Sequence, residues 1–156
     1  MFNPKNIPEE LKKFCQWVVW QKVQRNGKTT KEPINARTGY NARTNDRNSW
    51  CAFHEAMKYY EQPQNSCDGV GFIFTPEDPF VGIDLDHCIE HDGQLAVWAT
   101  KIVEHFNSYT EISPSGTGLH ILIKGKLPKG GRRKGGIEMY DSGRYFTMTG
   151  NLLVLK

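Results

Sequence analysis

The feature that most constrains this chain is residues 80–87, which read Phe-Val-Gly-Ile-Asp-Leu-Asp-His. The apolar part predicts a β-strand with Ile83 and Leu85 facing the core, since successive strand residues point to opposite faces. Asp84 and Asp86 then share the other face, with backbones roughly 6.5 Å apart. Paired carboxylates at that spacing can hold one or two divalent cations, and their hard oxygen atoms suit Mg²⁺ or Mn²⁺. A half-exposed strand would carry the same pattern, so companion residues must decide.

Length and composition limit what such a site can belong to. The 156 residues suffice for one domain with a core and are too few for two of ordinary size. Eight Phe, six Tyr and four Trp argue for a folded globular chain over a disordered one. Because no apolar run is long enough to cross a bilayer and the N-terminus lacks a signal-peptide core, we expect a cytoplasmic protein without a membrane partner.

The four cysteines Cys15, Cys51, Cys67 and Cys88 are widely spaced and form no Cys-x-x-Cys pair. This spacing favours neither a zinc ribbon nor a disulfide framework, and we expect buried thiols. The alternative is a zinc site made by Cys88 with His87 and His91, although a fourth ligand is missing from the pattern.

The pattern of apolar residues and turns predicts an α+β fold with a mainly antiparallel sheet. Asn26-Gly27 predicts a hairpin between strands at 16–23 and 29–34. Ser49 is expected to cap a helix reaching Tyr60, and a second helix is expected at about 95–106. Further strands are expected at 69–74, 109–112 and 119–123, the first as an antiparallel neighbour of the Asp84 strand, with a last hairpin from 136–140 to 144–149.

Companions of the acid pair follow from the same alternation. Glu138 is a third carboxylate on a polar strand face, which a site for two cations requires. His120 follows the loop Ser115-Gly116-Thr117-Gly118, whose small residues let backbone N–H groups approach a phosphate. A structural histidine and an ordinary turn are the simpler interpretations of these two features.

Positive charge is concentrated in one segment. Residues 124–134 contain six Lys or Arg and no acid, whereas the whole chain carries only +3. A basic, glycine-rich loop between two candidate site strands can hold a triphosphate or a nucleic-acid backbone, or can simply be solvated. Lys31, Arg37 and Arg43 could extend the positive surface.

Four motifs in order carry a family resemblance: Gly-Ile-Asp-Leu-Asp at 82–86, Ser-Pro-Ser-Gly-Thr-Gly-Leu-His at 113–120, Gly-Ile-Glu-Met-Tyr at 136–140 and Arg-Tyr-Phe-Thr-Met-Thr-Gly at 144–150. Together they resemble the primase-polymerase domain of the archaeo-eukaryotic primase superfamily. The chain is most similar to the branch found in replication proteins of phages, plasmids and mobile elements. Lys31-Glu32-Pro33 and the Trp50 helix extend the similarity toward the N-terminus.

The resemblance implies an RRM-like sheet backed by helices at 67–156 and an N-terminal α/β unit at 1–66. It implies that Asp84, Asp86 and Glu138 bind two Mg²⁺ or Mn²⁺ ions. Ser115, Gly116 and His120 would contact the nucleotide, joined by Tyr145 near its sugar and by the basic residues Lys31, Arg133 and Lys134. The expected reaction is template-directed nucleotidyl transfer on single-stranded DNA from nucleoside triphosphates, in a domain that stands alone or is excised from a longer protein with a helicase.

Two other functions stay open at this point. A non-catalytic nucleic-acid-binding module of the same fold would bind in a salt-sensitive manner without needing metal. A metal-dependent rolling-circle nicking enzyme would need paired histidines and a tyrosine nucleophile, for which His120 and Tyr140 or Tyr145 are the candidates.

Overall fold

The computed structural model describes residues 2–130 and 132–155. The strands are β1 Trp17–Arg25, β2 Lys28–Ile34, β3 Gly69–Ile73, β4 Phe80–Leu85, β5 Thr110–Ile112, β6 Leu119–Lys124, β7 Arg133–Lys134, β8 Ile137–Tyr140 and β9 Tyr145–Met148. The helices are α1 Glu9–Lys12, α2 Phe53–Tyr60 and α3 Val97–Phe106. All strand pairs are antiparallel in the described chain, which confirms the α+β class with mainly antiparallel pairing.

The chain divides into two compact units. The hairpin unit comprises Ile7–Ile73 and Tyr145–Met148, and its sheet has the strand order β2-β1-β3-β9. The predicted turn at Asn26-Gly27 joins β1 to β2, with Arg25 opposite Lys28. Its core forms around Trp17, whose ring packs edge-on against Phe53 of α2 at 4.7 Å and Phe72 of β3 at 5.3 Å.

The acid unit comprises the described parts of residues 1–6, 74–144 and 149–156. Its sheet has the strand order β5-β6-β4-β8-β7. One face of this sheet packs against α3, where Ala99 and Val103 are buried with Ile83, Leu85 and other apolar strand residues. The alternating apolar residues of β4, Ile83 and Leu85, therefore belong to the core, as expected from the sequence.

Two predicted strand pairings are wrong. β3 does not pair with β4; it lies between β1 and β9, where all five of its residues are buried. The intervening turn is held by Asp78, whose carboxylate accepts hydrogen bonds from the backbone N–H of Thr75 and of Phe80, both at 2.8 Å. The chain leaves one sheet and enters the other at this turn.

The expected hairpin from 136–140 to 144–149 is also wrong. β8 pairs with β4 and β7 in the acid unit, whereas β9 pairs with β3 in the hairpin unit. Gly143 and Arg144 instead exchange backbone hydrogen bonds with Phe74, at 3.1 and 2.9 Å. Because β3 and β9 belong to different units from their predicted partners, the division expected at 66/67 differs from the two units found here.

The helix that Ser49 is expected to cap begins later than predicted, at Phe53. Ser49 lies in a 3₁₀ turn, Arg47–Ser49, and its hydroxyl donates to the carbonyl of Asp46 at 2.7 Å. α2 begins at Phe53, where the Glu55 carboxylate accepts from the Ala52 N–H at 2.8 Å. No helix of the described residues has the length and apolar character needed to cross a membrane.

Candidate functional site

A single row of polar residues crosses the sheet of the acid unit, one residue from each strand. In register they are Glu111 on β5, His120 on β6, Asp84 on β4, Glu138 on β8 and Arg133 on β7. Directly opposed residues of antiparallel strands place their side chains on the same face of a sheet. These five residues, the polar row, therefore lie on the face opposite α3.

Burial changes along the polar row. The side chains of Glu111 and His120 are 0% and 6% exposed, whereas those of Asp84 and Glu138 are 25% and 11% exposed. Arg133 at the far edge is 69% exposed. A ligand approaching this face therefore meets Asp84 and the Arg133 edge, while Glu111 is inaccessible.

His120 lies between two carboxylates. Its Nδ1 lies 3.0 Å from Glu111 Oε1, and its Nε2 lies 3.9 Å from Asp84 Oδ1. The first distance is a hydrogen bond and the second is not. His120 and Asp84, both candidates from the sequence, are opposed in register. Glu111 was not among the candidates, because it is a lone acid between Thr110 and Ile112 in a very short strand.

Glu138 is held by two guanidinium groups. Arg133 Nε lies 2.9 Å from Glu138 Oε1, and Arg144 Nη2 lies 3.3 Å from Oε2. Arg144 also covers the Tyr140 ring at 4.7 Å and donates to its hydroxyl at 3.3 Å. Arg144 was missed as a site residue because it follows a turn, where strand alternation does not apply.

Asp86 lies one residue beyond β4, in a turn, so the predicted strand ends earlier than expected. Its backbone N–H donates to the Gly136 carbonyl at 2.8 Å, which continues the pairing with β8 by one residue. His87 next to it has a left-handed backbone, with φ of 50°, and ends the strand. Asp86 is exposed, two residues from Asp84.

The serine-containing loop lies at the same end of β4. Ser115 is exposed, and its hydroxyl is bonded to those of Ser113 at 2.9 Å and Thr117 at 3.1 Å. The Thr117 carbonyl accepts from the N–H of Cys88 at 2.9 Å, which ties this loop to the segment after Asp86. Gly116 has φ of +78°, a conformation that glycine adopts readily.

A cavity of about 480 Å³ adjoins the Arg133 edge of the polar row, with Arg132, Arg133, Glu138, Tyr140 and Arg144 in its lining. Arg132 Nη1 donates to the Pro128 carbonyl at 2.7 Å, which ties the guanidinium to the basic loop. Lys134 is exposed on β7. The predicted concentration of positive charge therefore borders the third acid.

Lys31 and Tyr145 belong to the hairpin unit. The Tyr145 hydroxyl donates to the Lys31 carbonyl at 2.6 Å, and Lys31 Nζ lies 5.9 Å from the centre of the Trp20 ring. Burial, with a smaller contribution from Glu32, raises the pKa of the Tyr145 phenol above its usual range. Lys31 and Tyr145 are therefore in contact through the Lys31 backbone carbonyl and the Tyr145 hydroxyl.

Two of the four cysteines are buried, Cys51 and Cys88, whereas Cys15 is exposed and Cys67 is intermediate. The expectation of buried thiols is therefore right for half of them. Burial raises the pKa of the Cys88 thiol to about 11, with Asp84 and Asp86 adding to the shift. The Cys88 thiol is buried and donates to the Leu85 carbonyl at 3.5 Å, whereas His87 and His91 are exposed.

No three His, Cys, Asp or Glu side chains within 2–130 and 132–155 are arranged to hold a metal ion. The donor chemistry of the acid face nevertheless fits Mg²⁺ or Mn²⁺, because Asp84, Asp86 and Glu138 offer only carboxylate oxygens. Asp84 and Glu138 are also direct cross-strand neighbours. The arginine contacts of Glu138 are the feature that departs from a formed three-carboxylate site.

Comparison with known proteins shows similarity to a phage protein. No protein-family model matches the chain. A curated protein, the "DNA Primase-polymerase" of Nitratiruptor phage NrS-1, is 38% identical over 149 residues, which cover 91% of this chain. The matched region is 20% of the relative's length, so the chain spans about a fifth of that protein. Over most of its length, this chain is therefore related to one part of a phage DNA primase-polymerase.

Proposed function

We propose that this chain is the nucleotidyl-transfer domain of a DNA primase-polymerase that serves the replication of a phage, plasmid or mobile element. The observation that carries the proposal is the polar row, which aligns His120, Asp84 and Glu138 on one sheet face, where Asp84 is 25% exposed. The similarity to a phage primase-polymerase supports it independently. We further propose that the sheet of the acid unit is RRM-like and that the domain is of the archaeo-eukaryotic primase type.

The proposed metal ligands are Asp84, Asp86 and Glu138. Bound Mg²⁺ or Mn²⁺, as a pair, would supply Lewis acidity to the attacking 3′-hydroxyl and to the leaving pyrophosphate. A metal-binding role for Asp84 is supported by its 25% exposure and by its position directly opposite Glu138 in the sheet. Each Glu138 oxygen has one arginine contact, so a cation at Glu138 would either share the carboxylate with Arg133 and Arg144 or displace one of them.

The proposed triphosphate ligands surround these acids. His120 Nε2 lies 3.9 Å from Asp84 Oδ1, and Ser115 with Gly116 lies in the loop at the same end of β4, where the Gly116 N–H donates to the Ser113 carbonyl at 2.9 Å. Arg133 and Arg144 line the cavity. Lys134 follows Arg133 on β7. An arginine released by Glu138 would be free to bind a phosphate oxygen, so metal ligation and triphosphate binding would favour each other.

The substrates proposed are nucleoside triphosphates and a single-stranded DNA template. A helicase domain or protein is proposed as a partner, since the chain corresponds to only a fifth of its relative. The nucleotide contacts of Lys31 and Tyr145 and the cytoplasmic location stay predictions.

The test is synthesis on single-stranded DNA with nucleotides and Mn²⁺, with and without a primer. Asp84→Ala and Asp86→Ala are each expected to abolish product formation, because each removes a cation ligand. Asp92→Ala is the matched control, since Asp92 is an exposed acid whose bond is to the nearby Gln94 N–H. Absence of product from the unmodified chain, or equal product from the Asp84→Ala variant, would count against the function.

The same samples separate the two alternatives. A binding module would retain salt-sensitive DNA binding after Asp84→Ala and would make no product. A nicking enzyme would leave a covalent DNA adduct on tyrosine. That outcome is disfavoured for Tyr145, whose partly buried hydroxyl donates to the Lys31 carbonyl and has a raised pKa.

A further inference from the structure

The buried carboxylate of Glu111 is the most heavily bonded side chain of the polar row. Its Oε1 is bonded to His120 Nδ1 at 3.0 Å and accepts from the Thr149 N–H at 2.9 Å. Its Oε2 accepts from the Tyr109 hydroxyl at 2.6 Å and the Gly150 N–H at 2.7 Å. The side chain is 0% exposed, so no solvent replaces any of these bonds.

Three of the four partners can only donate in this arrangement. The two backbone groups are N–H donors, and burial raises the pKa of the Tyr109 phenol, with the Glu111 charge adding to the effect, so that the hydroxyl stays protonated. A carboxylate accepts through both oxygens and has no hydrogen to place between such donors. With Glu111 ionised, the fourth bond, to His120 Nδ1, can form only if Nδ1 also donates, which requires a hydrogen on Nδ1.

The surroundings of Glu111 keep this carboxylate in place. On one side β5 pairs with β6, and on the other the segment after β9 runs alongside, with backbone bonds from Ile112 to Asn151 at 2.7 Å and from Leu153 to Thr110 at 3.0 Å. Gly150 has no room for a side chain, because a Cβ there would lie 1.9 Å from the Asn3 carbonyl oxygen. The two N–H groups at residues 149 and 150 are therefore fixed opposite the carboxylate.

We infer that Glu111 is a positioning residue for His120: it fixes a hydrogen on Nδ1 and thereby directs Nε2 toward the Asp84 side of the sheet. The role of Nε2 at the nucleotide rests on the proposed function. The ring orientation does not, because it follows from the contacts of Glu111 alone. Glu111 itself is inaccessible and touches no substrate.

The orientation can be measured directly in the unmodified protein. In ¹⁵N-histidine-labelled chain, the His120 signals among the five histidines are assigned by comparison with His120→Gln. The inference expects a hydrogen on Nδ1 of His120 that exchanges slowly with solvent. An Nδ1 without a hydrogen would overturn it, whether or not the protein makes DNA.

Glu111→Gln and Tyr109→Phe form a matched pair of variants. Both remove part of the same buried network, but only Glu111→Gln changes the group that contacts His120. Glu111→Gln is expected to lose the slow exchange at Nδ1 and to lower kcat/KM for the nucleotide about tenfold or more, mainly through KM. Tyr109→Phe is expected to lower the Tm while keeping the Nδ1 signal.

Two results distinguish the inference from the proposed function. If the unmodified chain makes no product but Nδ1 carries the slowly exchanging hydrogen, the function fails and the positioning role stands. If the chain is active and Glu111→Gln matches Tyr109→Phe in both kcat/KM and the Nδ1 signal, the positioning role is wrong. The Nδ1 measurement on unmodified protein needs no variant to fold.

Discussion

Three carboxylates on one row of a sheet differ in what they can do because their partners differ. Glu111 is bonded to a histidine, a tyrosine and two backbone groups, and it is closed to solvent. Asp84 is partly exposed beside an imidazole, and Glu138 is bonded to two arginines. The same functional group therefore gives a positioning group in Glu111, a candidate cation ligand in Asp84 and a candidate ligand in Glu138 whose oxygens also bind arginine.

Replacing Glu138 by Gln should weaken Mn²⁺ binding about tenfold, or about 1.4 kcal/mol, because an amide oxygen is a poorer cation ligand than a carboxylate. The measurement is Mn²⁺ titration followed by electron paramagnetic resonance. Glu55→Gln is the matched control, since Glu55 also binds a guanidinium through both oxygens, Arg37 at 2.8 Å, within the hairpin unit. Equal Mn²⁺ affinity in both variants would argue against Glu138 as a ligand.

Glu55 also predicts a pH dependence of stability. Its hydrogen bond from Arg37, and then that from the Ala52 N–H, lower its pKa from the ordinary 4.5 to about 2. Because the pKa is lower in the folded state, the stabilisation is present above about pH 4.5 and is lost as the pH falls toward 2. With its side chain 32% exposed, we expect only about 1 kcal/mol near neutral pH.

The check is urea denaturation of the unmodified chain and Glu55→Gln across this pH range. The difference in free energy of unfolding should shrink below about pH 4.5 and disappear near pH 2. Arg37→Gln should give a pH dependence of the same sign but smaller, since it removes the ion pair and leaves the hydrogen bond from the Ala52 N–H. A difference that stays constant with pH would show that the pair is not its source.

At the scale of elements, the sequence predicted strands well and their partners poorly. Alternation within 80–85 and 119–124 depends on local residues, and both strands form with the predicted faces. Pairing depends on residues far apart, and nothing local showed that β3 joins β1 and β9. For the same reason Glu111 was missed, because its partners at Thr149 and Gly150 come together only in the folded chain.

Two glycines that flank β6 allow the packing of this strand to be tested. A Cβ on Gly118 would lie 2.6 Å from the Leu85 carbonyl oxygen, whereas one on Gly125 would meet nothing within 4 Å. Leu85 is paired with Leu119, so its carbonyl cannot move away without disturbing β4 beside the acid pair. Gly118→Ala should therefore cost about 2 kcal/mol of unfolding free energy, and Gly125→Ala less than about 0.5 kcal/mol.

Chemical denaturation of both alanine variants provides the measurement. Because the two glycines lie at opposite ends of one strand and neither has a left-handed backbone, they differ mainly in the space available. Similar losses in both variants would show that the loop before β6 can move away from β4. A large loss in Gly118→Ala alone would confirm the close approach.

At the scale of the whole molecule, neither unit is a continuous piece of chain. β9 completes the sheet of the hairpin unit from late in the sequence, and the residues after it return to the acid unit to bond Glu111. Composition and length predicted one domain, and alternation predicted the acid face. The assignment of β9 to the hairpin unit was not predicted, because it depends on where four residues late in the sequence find a partner.

This arrangement predicts unequal effects of two C-terminal truncations. Ending the chain after Arg144 removes β9 from beside β3, where Phe72 opposes Phe146, and also removes the two N–H donors to Glu111. The sheet of the hairpin unit then loses β9 and the acid unit loses the segment bonded beside β5, so we expect loss of the near-ultraviolet circular dichroism signal of the buried tryptophans. Ending the chain after Leu153 removes Val154 and Leu155, which are 78% and 51% exposed, and should leave that signal and the Tm unchanged. A folded hairpin unit in the shorter chain would mean that β1, β2 and β3 are stable without β9.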